Sequence, residues 1–142
     1  MIYTSKNTTD TENIGRELAK KLDTGGARRA FIAMRGEMGV GKTAFVRGFA
    51  SYYGISGVKS PTYSIVNEYR KGNTAIFHFD MYRIESDEDL YSIAYDDYLQ
   101  KDGFCIAEWS ENIAEFIPSE AIFVTVSRLD ENEEYRKIEI SI

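Results

Sequence analysis

One cysteine, one histidine and two prolines occur in 142 residues, and each scarcity excludes something. Cys105 alone forms no internal disulfide, and one His with one Cys falls short of a zinc ligand set. A chain of this length buries roughly two-thirds of its unfolded surface, so it needs neither kind of staple. Cys105 lies in the apolar run Phe104-Cys105-Ile106-Ala107, where a buried, inert thiol is expected. There is no Pro-rich linker, repeat or low-complexity tract, so residues 1–142 are expected to form a single domain. No apolar run approaches 18 residues, and Met1 to Lys6 carry no signal-type apolar core. The expectation is a soluble, cytoplasmic protein with no membrane partner.

Basic residues are scarce in one half only. Residues 1–71 hold 12 Lys/Arg against 6 Asp/Glu, whereas residues 72–142 hold 5 against 17. The net charge of −6 argues against a protein that simply coats nucleic acid. The division behind it allows one half to meet an anion and the other something basic, unless folding mixes the two. With 43% hydrophobic and 28% charged residues, the chain has an ordinary globular composition.

The apolar pattern places the elements. Thr9-Asp10-Thr11-Glu12 reads as a capping box, followed by Ile14, Leu18 and Leu22 at helical spacing and a stop at Gly25-Gly26. Residues 30–34 and 104–107 are short, wholly apolar runs suited to strands buried on both faces. A helix is expected from Lys42 to Tyr53, with Phe45, Val46 and Phe49 on one face. Residues 61–69 and 74–80 flank the turn Arg70-Lys71-Gly72-Asn73 and predict an antiparallel hairpin. Ser86 to Asp89 offer a second capping box, opening a helix with Leu90, Ile93, Ala94 and Tyr98 as its buried stripe. A short helix over 110–116 precedes Pro118, and two strands, 122–127 and 135–140, close the chain. The fold class expected is α/β: a single domain with a mixed parallel and antiparallel sheet flanked by helices.

Gly36-Glu37-Met38-Gly39-Val40-Gly41-Lys42-Thr43 matches G-x-x-x-x-G-K-S/T at every fixed position. The glycines let the backbone curl into a nest of inward N–H groups, and the helix that follows adds its N-terminal dipole. Lys42 is placed for the β- and γ-phosphates and the Thr43 hydroxyl for Mg2+. These eight residues and Ala44 are the candidate nucleotide-binding set.

Such a site also needs a carboxylate for Mg2+ or its waters and a group that orients attacking water. Asp80 and Glu108 each end an apolar strand, and ligands of open α/β sheets sit at strand carboxyl ends. Which of the two holds metal and which orients water stays open. Thr62, in Ser60-Pro61-Thr62-Tyr63-Ser64, is a candidate switch hydroxyl for the γ-phosphate or Mg2+. His78, alone in its strand, reads as structural. The ten tyrosines are scattered and read as packing.

No N-K-x-D segment is present, and the single D-x-x-G match, Asp23 to Gly26, precedes the loop. ATP is therefore favoured over GTP. A small-molecule kinase would bring an arginine-bearing lid, yet residues 72–127 contain only Arg83 and Lys101 as cations. That reading, and a nucleotide-sensing interaction module, remain the alternatives.

Taken in order, residues 36–43, the run Ser60 to Tyr69, His78-Phe79-Asp80-Met81-Tyr82-Arg83 and Glu108-Trp109 resemble the TsaE family. These are bacterial P-loop ATPases of tRNA threonylcarbamoyladenosine biosynthesis. The resemblance covers about residues 10–127. It implies slow, Mg2+-dependent ATP hydrolysis beside the transferase TsaD and its inactive paralogue TsaB. Those proteins install threonylcarbamoyl on adenosine 37 of tRNAs reading codons that begin with A. It further implies catalytic roles for Asp80, Glu108 and Thr62, metal binding by Thr43 and Glu108, and a supporting role for Trp109. From Ser127 onward no family motif is matched. The acidic run Ile84 to Gln100, with six acids and no base, makes tRNA contact indirect and a basic protein surface the expected partner.

Overall fold

A computed structural model describes residues 1–37, 39–61 and 65–142. In chain order the elements are β1 (Ile2–Ser5), α1 (Thr8–Thr24), β2 (Ala30–Arg35), α2 (Lys42–Tyr52), β3 (Val66–Lys71) and β4 (Thr74–Asp80). There follow α3 (Asp87–Ser92), α4 (Tyr95–Gln100), β5 (Phe104–Glu108), a 3-10 helix (Ser110–Phe116), β6 (Ile122–Arg128) and β7 (Arg136–Ser141). The strands form one sheet in the order β1-β7-β6-β2-β5-β4-β3. Its centre, β6-β2-β5-β4, is parallel, whereas β3, β7 and β1 are antiparallel to their neighbours. The expected mixed sheet and its hairpins are present.

β2 reads as continuous apolar sequence because it feeds two cores. Ile32 and Met34 face Phe45, Phe49, Ile106 and Val124, under α1 and α2. Phe31 and Ala33 face Phe77, Phe79, Tyr95 and Ile113 on the other side. Side chains alternate along a strand, so both faces must be apolar when both are covered.

On the first face α1 and α2 touch backbone to backbone. A Cβ on Gly15 would strike the Phe45 carbonyl, and one on Gly48 the backbone of Glu12. Arg47 closes the same seam with a 2.7 Å ion pair to Glu12. α2 is thereby held at one height above β2, and its first turn stands at the carboxyl ends of the parallel strands.

Three expectations change. α1 starts at Thr8, capped by Asn7 rather than Thr9. The Asn7 side chain accepts from Asp10 N at 2.8 Å, and Asp10 accepts from Lys6 N at 2.9 Å. That is the reciprocal cap displaced by two residues, which leaves Thr11 free to turn inward against Ser5 at 2.7 Å. β1 was not expected at all. It is short, and its partner Arg136–Glu139 lies at the far end of the chain. The helix expected from Ser86 begins there, with Ser86 as cap, but breaks at Ala94, whose φ is 57°. The break restarts the helix as α4 and turns Tyr95 into the second core, edge-on to Phe31 and Phe79.

Candidate functional site

The glycine-rich loop leaves the carboxyl end of β2, the innermost parallel strand, and runs into α2. Gly41, at φ 107°, is the N-cap of α2 and places no side chain over the helix terminus. A Cβ there would meet nothing within 4 Å, so the first-turn N–H groups open towards solvent. This is an anion-receptive helix start. Val40 points the other way, 2% exposed among the first-face core residues. Of that residue only the backbone is available to a ligand. Met38 and Thr62 lie outside the described residues.

Lys42, Thr43, Asp80, Glu108 and Trp109 line one cavity of about 420 Å3, which Ala44 also borders. Glu37 is exposed, and Gly36 and Gly39 complete the loop. Lys42 is 5% exposed. Its ammonium donates to the Gly36 carbonyl at 2.7 Å and lies 4.3 Å from the centre of the Trp109 ring. Burial lowers its pKa below the ordinary lysine value, an effect opposed by the nearby charges of Glu108, Glu111 and Asp80.

Sheet register sets the two acids side by side. Asp80 and Glu108 are Cα partners at the carboxyl ends of β4 and β5. Asp80 Oδ1 accepts from Tyr82 N at 3.0 Å, which steadies the carboxylate at the turn leaving β4. Glu108 is 6% exposed. Its Oε2 is 3.4 Å from the Thr43 hydroxyl and 2.5 Å from His78 Nε2. The Thr43 hydroxyl is in turn 2.5 Å from Ser60 Oγ. Loop, helix start and strand ends therefore converge on one hydroxyl–carboxylate cluster.

The chemistry of this donor set fits a metal-bound nucleotide. A hydroxyl and two carboxylate groups are hard oxygen donors of the kind Mg2+ takes alongside phosphate and water. An ammonium and open helix N–H groups suit the phosphates. Two partners were not expected at the site. His78 belongs to the His78-Phe79-Asp80 motif, and that motif was its signal. Arg136, which bonds the Val40 carbonyl at 2.9 Å, had no local signal.

A parallel sheet whose inner strand runs through a glycine-rich loop into a helix, with two acids on adjoining strand ends, defines an α/β protein of P-loop type. The family model for "Threonylcarbamoyl adenosine biosynthesis protein TsaE" matches residues 5–138, and the chain belongs to this family. It is 37% identical over 116 residues to the "tRNA threonylcarbamoyladenosine biosynthesis protein TsaE" of Haemophilus influenzae, covering 81% of this chain and 72% of that one. It is 35% identical over 103 residues to the Bacillus subtilis protein of the same description, covering 72% of this chain and 64%, just under two-thirds, of the other. The crystal structure of Bacillus subtilis YdiB has a similar fold. The TM-score is 0.78 at 26% identity, over 97% of this chain and 82% of that one. No helix among the described residues is long and apolar enough to cross a membrane.

Proposed function

We propose that this chain is a Mg2+-dependent ATPase, slow in isolation, that serves the threonylcarbamoyl modification of adenosine 37 in tRNAs reading codons that begin with A. Its expected partners are the transferase TsaD and the paralogue TsaB. The observation that carries the reading is the pairing of Asp80 with Glu108 in register, facing the same cavity as Lys42 and Thr43. A nucleotide-binding loop alone needs no such acids, whereas hydrolysis does.

In this reading Gly36 to Ala44 hold the phosphates, with Lys42 moving from the Gly36 carbonyl to the β/γ oxygens. Thr43 and Glu108 hold Mg2+, which when bound neutralises charge developing on the phosphates. Asp80, and Thr62 from the preceding segment, are assigned to water and the γ-phosphate. Trp109 lies over Lys42, forms part of the cavity wall and packs 5.0 Å from the Tyr82 ring.

Hydrolysis of ATP supplies no atom to carbamoyl transfer, so its use lies in changing affinity. ATP- and ADP-bound forms must then differ in their grip on TsaB–TsaD. The surface from Glu85 to Asp97 is acidic and largely exposed, which suits a basic protein face and opposes direct contact with tRNA phosphates.

The test is ATP turnover by the chain alone and with TsaB–TsaD, followed by nucleoside analysis of the tRNA. Stimulated turnover together with threonylcarbamoyladenosine is expected. Stimulation by a small-molecule acceptor in the absence of partners would make it a kinase instead. Binding without turnover in the full mixture would make it a nucleotide sensor.

A further inference from the structure

His78 is fully buried, at 0% exposed, in a strand where an apolar residue would do for packing. Its position is set by sheet geometry. Ile76, His78 and Asp80 alternate onto the face of β4 covered by α2, as do Phe104, Ile106 and Glu108 on β5. The imidazole of His78 therefore lies one step below the acids, directly behind the carboxylate of Glu108. The contact between His78 Nε2 and Glu108 Oε2 is 2.5 Å. A carboxylate only accepts, so Nε2–H is the donor. Nδ1 is buried and has no hydrogen-bond partner among the described residues. The ring thus has one bond to make, and makes it to Glu108.

Resting on the ATPase reading above, we infer that His78 is a positioning residue. It ties Glu108 Oε2 from behind, so that the carboxylate faces the Thr43 hydroxyl and is presented to the metal in a single rotamer. A glutamate has three side-chain torsions, and among the described residues the Glu108 carboxylate bonds otherwise only to Thr43, at 3.4 Å. Without the imidazole the carboxylate would be free to turn away from the loop. Outer partners of metal-binding side chains act in this way, fixing orientation and tautomer from the side away from the metal.

The experiment pairs His78→Leu, which keeps bulk and removes the donor, with His78→Gln, whose Nε2 amide can donate from nearly the same place. Affinity for a fluorescent ATP analogue is measured with and without Mg2+, alongside kcat and KM. For His78→Leu, metal-free affinity is expected to be unchanged. The Mg2+ concentration needed for tight binding should rise, and kcat fall, by about ten-fold or more, with His78→Gln recovering most of both. Wild-type Mg2+ dependence in His78→Leu, or equal defects in the two variants, would overturn the inference.

A second measurement needs neither turnover nor a foldable leucine variant. Ring 15N resonances of the nucleotide-free wild type should show His78 with Nε2 protonated and Nδ1 bare, and Glu108→Gln should move them. The opposite tautomer, or no response to Glu108→Gln, also overturns it. Absence of ATP turnover with all partners present would defeat the ATPase reading, while the ring resonances and Mg2+ titration would still judge His78.

Discussion

Arg136, in the last strand, donates from Nε to the backbone carbonyl of Val40 in the glycine-rich loop, at 2.9 Å. Its Nη1 reaches the carbonyls of Glu133, at 2.5 Å, and Tyr135, at 2.9 Å. One guanidinium thereby joins the β6–β7 turn to the loop through three main-chain oxygens. Arg136→Ala should release the loop and weaken ATP affinity by about ten-fold, the worth of a charged hydrogen bond. Arg136→Lys should not restore it, because an ammonium lacks the planar fork. Calorimetric titration with ATP decides this; unchanged affinity in Arg136→Ala would make the bond incidental.

Lys42→Ala should abolish nucleotide binding, whereas Asp80→Ala and Glu108→Ala should keep binding and lose turnover. A loss of about 100-fold or more is expected for each acid, since each is assigned to charge or water in the transition state. Equilibrium binding beside single-turnover hydrolysis separates the two effects. Wild-type turnover in both acid variants would remove them from the site.

The seam between α1 and α2 has no room for a methyl group at Gly48. Gly48→Ala should push α2 off the Glu12 backbone, although alanine is the better helix former. Overpacking should prevail, at a cost of about 2 kcal/mol and a fall in Tm of roughly 5 °C or more. Scanning calorimetry would show it, and a rise in Tm would mean that the seam yields.

Stability should fall in alkali. Burial pushes the Cys105 thiol and the Tyr53 phenol each up to about 12, from 9.0 and 10.0 respectively. Between those values the unfolded chain has released protons that the folded one retains, so rising pH favours unfolding. Stability from these two groups is fully present below pH 9.0 and is lost progressively from there towards about 12. Urea midpoints across pH 8 to 11 should show the decline, less steeply in Tyr53→Phe. Native Cys105 should also resist a thiol reagent that reacts on unfolding.

Reversal of charge at Glu85 and Glu88, both exposed, tests the partner reading. The double lysine variant should bind TsaB–TsaD about ten-fold more weakly at low salt, with the deficit shrinking as salt rises. ATP binding should be unaffected. Equal association of variant and wild type would place the partner elsewhere.

What was legible in the residues was local. The glycine-rich loop is a backbone conformation written into eight consecutive positions, and its neighbours Ala30–Arg35 and Lys42–Tyr52 carry their own periodicity. Strand ends at Asp80 and Glu108 could be read because each closes an apolar run. The break at Ala94 could not, because Ala94 itself favours a helix, and its φ of 57° accompanies the turning of Tyr95 onto Phe31 and Phe79. The start of α1 departs from the Thr9 box for a similar reason: Glu12, the reciprocal residue of that box, pairs with Arg47 across the helix seam.

By itself the sequence determined that a glycine-rich loop of the G-x-x-x-x-G-K-S/T pattern exists, that buried strands frame it and that two acids stand at strand ends. Those are properties of short segments, governed by backbone freedom and by alternation of apolar residues. Only the tertiary structure decided that the two acids are neighbours, that His78 stands behind one of them and that Arg136 braces the loop. These relationships join residues 28, 30 and 96 positions apart. They depend on strand order and register, which the sheet as a whole selects by burying both faces of β2 together.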